Sequence, residues 1–406
     1  MRENRDAPPR AQSRRAFLQR AAVGAGGLLV AACQPQTPPA AEQPPQPPNN
    51  GGSPGTAAGA GAGSGPSGWQ EAWDALVAGA KQEGTLILHG PPVPETRQQV
   101  PAAFTQRFGI PVEYVGARTS ELAPRMVAEK QAGLVTIDAM VTGINSFGDV
   151  LYPAGLVADL KSQLILPEVT DESLWFTDPP LFVDPEQSKV MRLFNSSPPM
   201  LVANRDYVDP STIRVAQDLL RPEFREKIIT DDPLVAGPGS VPPAYFLKLF
   251  GEEFIRKLYG EQVVSSRDPR QETDLLARGQ CPLGLAIPGT DVQRLIDEGF
   301  PIELVRLADA PGYTGGGFGM LGIIEGAPHP NAARLFANWI ASREGLAVFA
   351  RSLNEVGTRK DVDYREWAPD FMIPQPGLNY LASYTWEFKT KEQPAAQQRL
   401  RELLGK

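Results

Sequence analysis

The sequence predicts a two-lobed α/β protein that follows an export signal and an unstructured tether. Three observations lead to this prediction. Strand-like and helix-like segments alternate along much of the chain. Residues 68–406 are too many for one hydrophobic core, so two lobes are expected. Residues 1–32 have the pattern of an export signal, and residues 33–67 lack the large apolar side chains of a folded domain.

The N-terminus has the pattern of a bacterial export signal. Residues 1–20 have a net charge of +4 and precede an apolar stretch at residues 21–32. A membrane-spanning helix needs roughly 20 apolar residues, so this stretch is too short to span a bilayer. Residues 13–18 (SRRAFL) resemble a twin-arginine signal, and residues 29–33 (LVAAC) resemble a lipobox. We therefore expect residues 1–32 to be a twin-arginine lipoprotein signal peptide and Cys33 to be lipidated.

Residues 33–67 are predicted to be a disordered linker. They are rich in Pro, Gly, Ala, Gln and Asn and have almost no large apolar side chains, so they cannot bury enough surface to offset chain entropy. A flexible linker of this length reaches on the order of 30 Å. Lipidated Cys33 would anchor the folded part to the lipid bilayer, facing the periplasm or the cell exterior.

Composition excludes several classes of function. The chain has a net charge of −8, and removal of the signal leaves −12, so no basic stripe is available for nucleic acid. Cys281 is the one cysteine besides Cys33, and we expect it to be a small buried side chain without a disulfide. With two histidines and no nucleophile elbow, we expect no metal, no cofactor and no catalytic residue. A secreted hydrolase that uses His89 is the least favoured alternative.

The first lobe is predicted to begin with a helix that ends at Gly84, followed by strands at residues 85–88, 111–115 and 137–141 and helices at 94–108 and 122–132. Such β-α-β units form parallel sheets, which bind ligands at the carboxyl ends of their strands. This geometry selects three loops. Their candidate ligand-binding residues are His89, Gly90 and Pro91; Arg118, Thr119 and Ser120; and Gly143, Asn145 and Ser146.

A second α/β stretch follows residues 195–199. It contains predicted strands at 200–204, 227–230 and 283–287 and helices at 215–222, 245–258, 271–278 and 290–298. Helix N-termini and arginines favour anions, so the loops of this stretch indicate a small anionic or organic solute. The alternatives are that the hydroxyl side chains only cap helices and that the arginines are solvated. The candidate residues are Asn195, Ser196, Gly239, Ser240, Arg267, Gly289 and Thr290.

The chain then passes through a glycine-rich segment at residues 312–319 into a predicted strand at 320–324 and a helix at 331–341. Tyr313 beside the glycines is a candidate aromatic lid, or it packs at a hinge. Residues 317–322 match a dinucleotide-binding fingerprint by letter. Because they lead into a strand and not into a helix, we reject that interpretation.

The order of several short segments resembles the extracellular solute-binding proteins of ABC importers, especially the ferric-ion-binding-like branch with the type II periplasmic-binding fold. These segments are residues 83–88 (EGTLIL), 120–122 with Arg125, 154–160 (AGLVADL), 218–228, and 329–333 (HPNAA) with Phe336 and Trp339. The resemblance covers about residues 83–355.

It implies two lobes that are joined by two chain crossings and close on a solute. The crossings are expected near residues 197–200 and 304–309. Lobe 1 would contain residues 68–198 and the return, 308–406, with the C-terminal helix, and lobe 2 would contain residues 199–307. The expected partner is an ABC permease, and we expect a monomer. Presentation of the solute to a membrane sensor is an alternative.

One departure from the ferric-binding pattern concerns the ligand. Ferric-binding members typically have a tandem tyrosine after the strand that corresponds to residues 283–287, whereas this chain has Pro288, Gly289 and Thr290. The matching loop of lobe 1 offers no acid, and ferric iron prefers phenolate or carboxylate oxygen. The pattern disfavours direct iron coordination of the usual kind. Binding of ferric iron or a ferric complex stays an alternative because His89 follows the first strand.

Overall fold

The computed structural model of the chain describes residues 68–117, 119–235 and 237–405, with the backbone alone at residues 119–121. Within these residues the strands are β1 Leu86–Gly90, β2 Val112–Gly116, β3 Ala139–Thr142, β4 Met191–Arg192, β5 Leu201–Asn204, β6 Ile228–Asp231, β7 Val263–Ser266, β8 Leu283–Leu285, β9 Ile302–Leu304, β10 Tyr313–Thr314, β11 Met320–Ile323 and β12 Leu381–Ala382. The α-helices are α1 Trp69–Glu83, α2 Pro94–Phe108, α3 Thr119–Gln131, α4 Ile144–Ser146, α5 Pro167–Thr170, α6 Val241–Lys257, α7 Pro269–Ala277, α8 Gly289–Asp297, α9 Pro330–Ala341, α10 Arg343–Arg351 and α11 Gln393–Leu404. No helix of the described residues is both long enough and apolar enough to cross a bilayer.

Two five-stranded sheets organise the described residues. The first has the order β2-β1-β3-β11-β4, in which β1 pairs in parallel with β2 and β3, and β11 pairs antiparallel with β3 and β4. The second has the order β7-β6-β8-β5-β9, in which β6 pairs in parallel with β7 and β8, and β5 pairs antiparallel with β8 and β9. Each sheet with its helices forms one lobe, so the predicted two-lobed α/β fold is confirmed.

Each lobe has its own hydrophobic core on both faces of its sheet. In lobe 1, Phe104 packs edge-on against Phe336 and Trp339, with ring centroids 5.6 and 5.4 Å apart. In lobe 2, Phe246 and Phe254 pack in the same way at 5.5 Å. Partly buried Phe371 packs against a core of each lobe, but the buried core residues of the two lobes are different sets. The lobes therefore meet the physical requirement for moving as separate units.

The chain passes from the first sheet to the second between β4 and β5 and returns between β9 and β11. A third passage follows β12. Tyr384 lies in the core of lobe 1, whereas Leu400 on α11 lies in the core of lobe 2, where α11 packs against α6. The sequence prediction assigned all of residues 308–406 to lobe 1. The structure differs because the apolar face of α11 covers α6.

A buried carboxylate fixes the return of the chain to lobe 1. Asp138 is fully buried and accepts hydrogen bonds from the backbone N–H groups of Ile87 at 2.6 Å and His329 at 2.7 Å. The Oδ2 of Asp138, which accepts from Ile87, also lies 2.9 Å from the Nδ1 of His329. His329 therefore joins the start of α9 to β1 and β3.

Most predicted elements of the first lobe are present, but one predicted helix of the second lobe is not. Residues 215–222 form 3₁₀ turns at Ala216–Leu220 and Pro222–Phe224. The Asp218 carboxylate accepts from the N–H groups of Arg214 and Val215, which closes a turn, and Pro222 cannot donate the hydrogen bond that a longer helix requires. The sequence prediction did not include β4, β7, β9 or α10. Strands β4 and β9 span two and three residues, which are too few to show a pattern.

Replacement of Leu400 by Ala should test the position of α11. Leu400 is fully buried in the core of lobe 2, so we expect the free energy of unfolding to fall by about 2 to 5 kcal/mol in urea titrations. Arg399→Ala on the same helix removes exposed ion pairs to Glu252 and Glu402 and should change the stability far less. Equal effects of the two substitutions would contradict the packing of α11 on α6.

Candidate functional site

The candidate site lies at the carboxyl ends of the parallel strands in both lobes, where open α/β sheets bind ligands. In lobe 1 these are the ends of β1 and β3, and in lobe 2 they are the ends of β6 and β8. The structure brings some of the predicted residues to these edges and places others in cores or in surface ion pairs.

The first predicted loop, His89 to Pro91, is buried by neighbouring residues. His89 is fully buried, and its Nδ1 lies 2.8 Å from the carbonyl oxygen of Val115 on the neighbouring strand. Burial lowers the pKa of His89, and this contact opposes the shift. The hydroxyl of Tyr114 donates to the Pro91 carbonyl at 2.8 Å and covers Gly90. Gly90 and Pro91 are buried as well, so this loop serves the packing of β1 against β2.

The second predicted loop falls largely outside the described residues. Arg118 is one of the residues that the structure does not describe, and no side chain is described at Thr119 or Ser120. Thr119 and Ser120 occupy the first turn of α3. Their proposed contact with a ligand stays a prediction.

The third predicted loop follows β3. Gly143 faces the carbonyl oxygen of Gly317, which lies 3.6 Å from the position that a Cβ would occupy. Asn145 and Ser146 are partly buried in the helical turn that follows, where Asn145 hydrogen-bonds to Asp149. Burial lowers the pKa of Lys389 to about 8, and the nearby Asp149 opposes that shift. This loop is thus linked to the C-terminal passage between the lobes.

Asn195 and Ser196, predicted to bind the ligand, lie next to the predicted crossing and beside a carboxylate that the sequence did not indicate. The Ser196 hydroxyl donates to Glu355 and accepts from the N–H of Val356 at 2.9 Å. Burial raises the pKa of Glu355 to about 7, although the hydrogen bond from Ser196 opposes the shift. The Oδ1 of Asn195 is buried and has no partner among the described residues.

Glu355 also explains a glycine of the glycine-rich segment. A Cβ at Gly317 would lie 2.8 Å from a carboxylate oxygen of Glu355, and the φ of Gly317 is +47°. A left-handed backbone and a close carboxylate both favour glycine at this position. Gly143, Ser196, Gly317 and Glu355 therefore form one edge of lobe 1 next to the hinge, which we call the lobe 1 rim.

In lobe 2, the structure separates the residues predicted before α6. The N–H of Gly239 donates to the Asp231 carboxylate at 3.2 Å, so this donor is already used. Ser240 is fully buried, donates to the Gly237 carbonyl at 2.6 Å and accepts from Gln393 on α11. Ser240 therefore fixes α11 to lobe 2 and is not positioned to contact a solute.

The remaining predicted residues of lobe 2 are scattered. The Arg267 side chain is 72% exposed and pairs with Asp232 at 2.8 Å. Gly289 lies under Met372 of lobe 1, and Thr290 is exposed at the start of α8. Tyr313 is buried in the core of lobe 2, where burial raises its pKa, so it is a packing residue and not a lid. Cys281 is buried, as expected.

Carboxylates that sequence analysis missed occupy the strand ends of lobe 2. Asp231 is the last residue of β6, Glu272 lies on the first turns of α7, and Asp291 lies on the first turn of α8. We call these three residues the acidic rim of lobe 2. The position of Asp231 directly after a buried strand was the available signal. Nothing in the local sequence distinguishes Glu272 or Glu355 from a surface glutamate.

Both rims contain carboxylate side chains: Glu355 in lobe 1 and Asp231, Glu272 and Asp291 in lobe 2. Among the described residues, no group of three or more His, Cys, Asp and Glu side chains is arranged to hold a metal ion. The rims can instead accept hydrogen bonds and offer negative charge to a small molecule.

Glu355→Gln should remove a pH dependence of stability. In the folded protein this carboxyl holds its proton up to a pH of about 7, but its ordinary pKa is 4.5. The wild-type free energy of unfolding should therefore decrease as pH rises from 4.5 to 7, by at most about 1.4 kcal/mol per pH unit. The variant lacks this contribution, so its stability relative to wild type should rise over that range in urea titrations. Glu366→Gln, at an exposed position, is the control, and an identical pH profile for both variants would contradict the environment of Glu355.

Solved structures with the same fold include solute-binding proteins from several bacteria. The iron-bound protein HitA of Pseudomonas aeruginosa is 18% identical, with a TM-score of 0.59, and covers 79% of this chain and 99% of its own. AfuA of Actinobacillus pleuropneumoniae with bound fructose-6-phosphate is 16% identical, with a TM-score of 0.60 and the same coverage. An ABC transporter protein of Clostridium perfringens is 16% identical, with a TM-score of 0.63 and the same coverage. At these identities the likeness shows the fold alone.

Sequence comparison identifies the family. A protein of Haemophilus influenzae is 29% identical over 133 residues, which are 32% of this chain and 37% of that relative. The match therefore spans little more than a third of the relative's length. The family model of the bacterial extracellular solute-binding proteins matches residues 96–352, more than half of the chain. The chain belongs to the family of bacterial extracellular solute-binding proteins.

Proposed function

We propose that this protein is the solute-capturing subunit of an ABC importer, which encloses a small organic solute between its lobes and delivers it to a membrane permease. The observation that carries this proposal is the pair of lobes with separate cores, joined by chain passages between β4 and β5 and between β9 and β11. Rotation about such passages closes the strand ends of one lobe onto those of the other.

The lobe 1 rim and the acidic rim of lobe 2 are the surfaces proposed to enclose the solute. Glu355 and Ser196 lie beside the passage between β4 and β5, and Asp231 lies at the end of β6. Solutes that are polar and small enough to be surrounded by these rims fit the site best, because buried carboxylates need a partner that satisfies them.

Ferric iron is the second candidate, and related folds give the reason to consider it. HitA was solved with iron, and a Trichodesmium relative was solved with iron and citrate, whereas AfuA was solved with fructose-6-phosphate. The fold thus accommodates solutes of different chemistry, and the residues decide between them. In this chain Gly289 and Thr290 stand where a tandem tyrosine is expected, and Met372 covers Gly289. These features favour an organic solute.

We also propose that the protein acts as a monomer that is attached to the membrane through lipidated Cys33. Residues 33–67 have the composition of a flexible tether, which would let the folded part reach a permease in the same membrane. Presentation of the solute to a membrane sensor would use the same fold. A neighbouring gene for a permease or for a sensor kinase would distinguish these partners.

Native mass spectrometry of the purified protein should reveal one bound small molecule per chain, which is lost on mild denaturation. Gly143→Trp should abolish this complex, because Gly143 has an ordinary φ of −75° and a Cβ there would make only a van der Waals contact with the Gly317 carbonyl, so the indole would occupy the lobe 1 rim. Gly68→Trp, at the start of α1 with no neighbour nearby, is the matched control and should retain the ligand. Retention of the ligand by both variants, or turnover of generic esters by the protein, would contradict the proposal.

Cys33→Ala should release the protein from the membrane fraction of cells that export it. Two acyl chains on one cysteine are sufficient for stable anchoring, and alanine cannot accept them. Cell fractionation followed by immunoblotting measures the distribution. Cys281→Ala is the control and should stay in the membrane fraction, since Cys281 is buried in lobe 2. Membrane association of the Cys33 variant would exclude this anchor.

A further inference from the structure

The Glu272 side chain is buried without a partner. Glu272 lies on α7, is 1% exposed, and its Oε1 has no hydrogen-bond partner among the described residues. A buried carboxylate without a hydrogen bond is costly unless another group satisfies it. The Oε1 atom of Glu272 therefore has capacity for a partner that the described residues do not supply.

The charged groups that shift the pKa of Glu272 are all acidic. After burial, the largest influences are Asp231 at the end of β6, Asp291 on α8 and Asp268 at the start of α7, and together they raise the pKa of Glu272 to about 8. Two arginines of lobe 2 already pair with acidic side chains near this rim. Arg294 pairs with Asp291 at 3.5 Å and with Glu298 at 3.1 Å, and Arg267 pairs with Asp232. Among the described residues, no basic side chain forms an ion pair with Glu272, and the charged groups that shift its pKa are acidic.

The chain keeps this carboxylate cluster at the strand ends of lobe 2. The backbone of the loop after β6 passes so close to Asp231 that a Cβ at Gly237 or Gly239 would overlap it. The N-terminus of α7 is already capped, because the Asp268 carboxylate accepts from the N–H of Arg270 at 2.9 Å. An anionic group would therefore meet like charges and no free capping donor there.

A chelated metal fits these residues poorly. In the part of the chain that the structure describes, no three His, Cys, Asp or Glu side chains have the spacing of a metal site. An ammonium or guanidinium group needs no fixed coordination geometry and donates several hydrogen bonds to carboxylate oxygens.

We propose that the acidic rim of lobe 2 binds a cationic nitrogen group of an organic solute, with Glu272 and Asp231 as its principal partners and Asp291 at its edge. This inference rests on the proposed function and specifies one end of the solute. The rest of the solute would face the lobe 1 rim. Because Glu272 gives up a proton to pair with a cation, binding releases protons at neutral pH.

Isothermal titration calorimetry tests the proposal with methylammonium, guanidinium and 1,4-diaminobutane, with 1,4-butanediol and succinate as neutral and anionic comparisons. We expect at least one cationic probe to bind, with proton release that appears as a dependence of the measured heat on the buffer. Glu272→Gln should weaken binding about tenfold or more. Asp231→Asn, a second variant at the same rim, should weaken it as well.

Glu303→Gln is the matched control, because Glu303 is an exposed glutamate on β9 of the same lobe that pairs with Arg205. It should leave binding unchanged. Binding of none of the three cations, or equal binding by the Glu272 and Glu303 variants, would overturn the proposal. Binding of Mg²⁺ or Fe³⁺, but of no organic cation, that is lost in Glu272→Gln would overturn it in favour of a metal.

The outcome separates this inference from the proposed function. If succinate binds and Glu272→Gln leaves its affinity unchanged, the cationic group is refuted while solute capture stands. If native mass spectrometry finds no bound molecule and none of the probes binds, solute capture itself is refuted.

Discussion

Strand β11 is the constraint on which the two-lobed architecture depends. After lobe 2 is complete, the chain must return to the first sheet, and β11 does so by pairing antiparallel with β3 from Met320 opposite Thr142 to Ile323 opposite Ala139. It also pairs with β4, so both passages next to the hinge end in the same hydrogen-bonded ladder. The contacts of His329 with the buried Asp138 then fix the start of α9 against the opposite end of the sheet.

The same return brings the lobe 1 rim together. Glu355 is 159 residues from Ser196 in sequence, and the two side chains meet because α10 follows β11 back across lobe 1. In lobe 2, Asp231, Glu272 and Asp291 come from three separate elements, the end of β6 and the first turns of α7 and α8. Each rim thus contains at least one carboxylate. Burial is the largest cause of the raised pKa of each glutamate.

The C-terminal segment limits how the lobes can move. Trp386 packs edge-on against Tyr152 of lobe 1 with centroids 4.8 Å apart, and α11 then packs on α6 of lobe 2. Gln393 at the start of α11 donates to Ser240. Any rotation of the lobes must therefore also bend the connection between Trp386 and Gln393. This connection is the third passage between the lobes, and it lies next to the loop that follows β3.

The sequence by itself determined the alternation of strands and helices, the two lobes and the solute-binding family, because buried strands and amphipathic helices leave local patterns in the order of residues. It also indicated the loop after β3 and the hinge near Ser196. Tertiary structure alone decided which polar residues meet at the rims. Ser240 and Tyr313 are polar or aromatic residues at suggestive positions, but α11 and the core of lobe 2 bury them. Glu272 and Glu355 look like surface residues in sequence, and only the packing of distant elements buries Glu272 and half-buries Glu355, since burial depends on neighbours that no local pattern specifies.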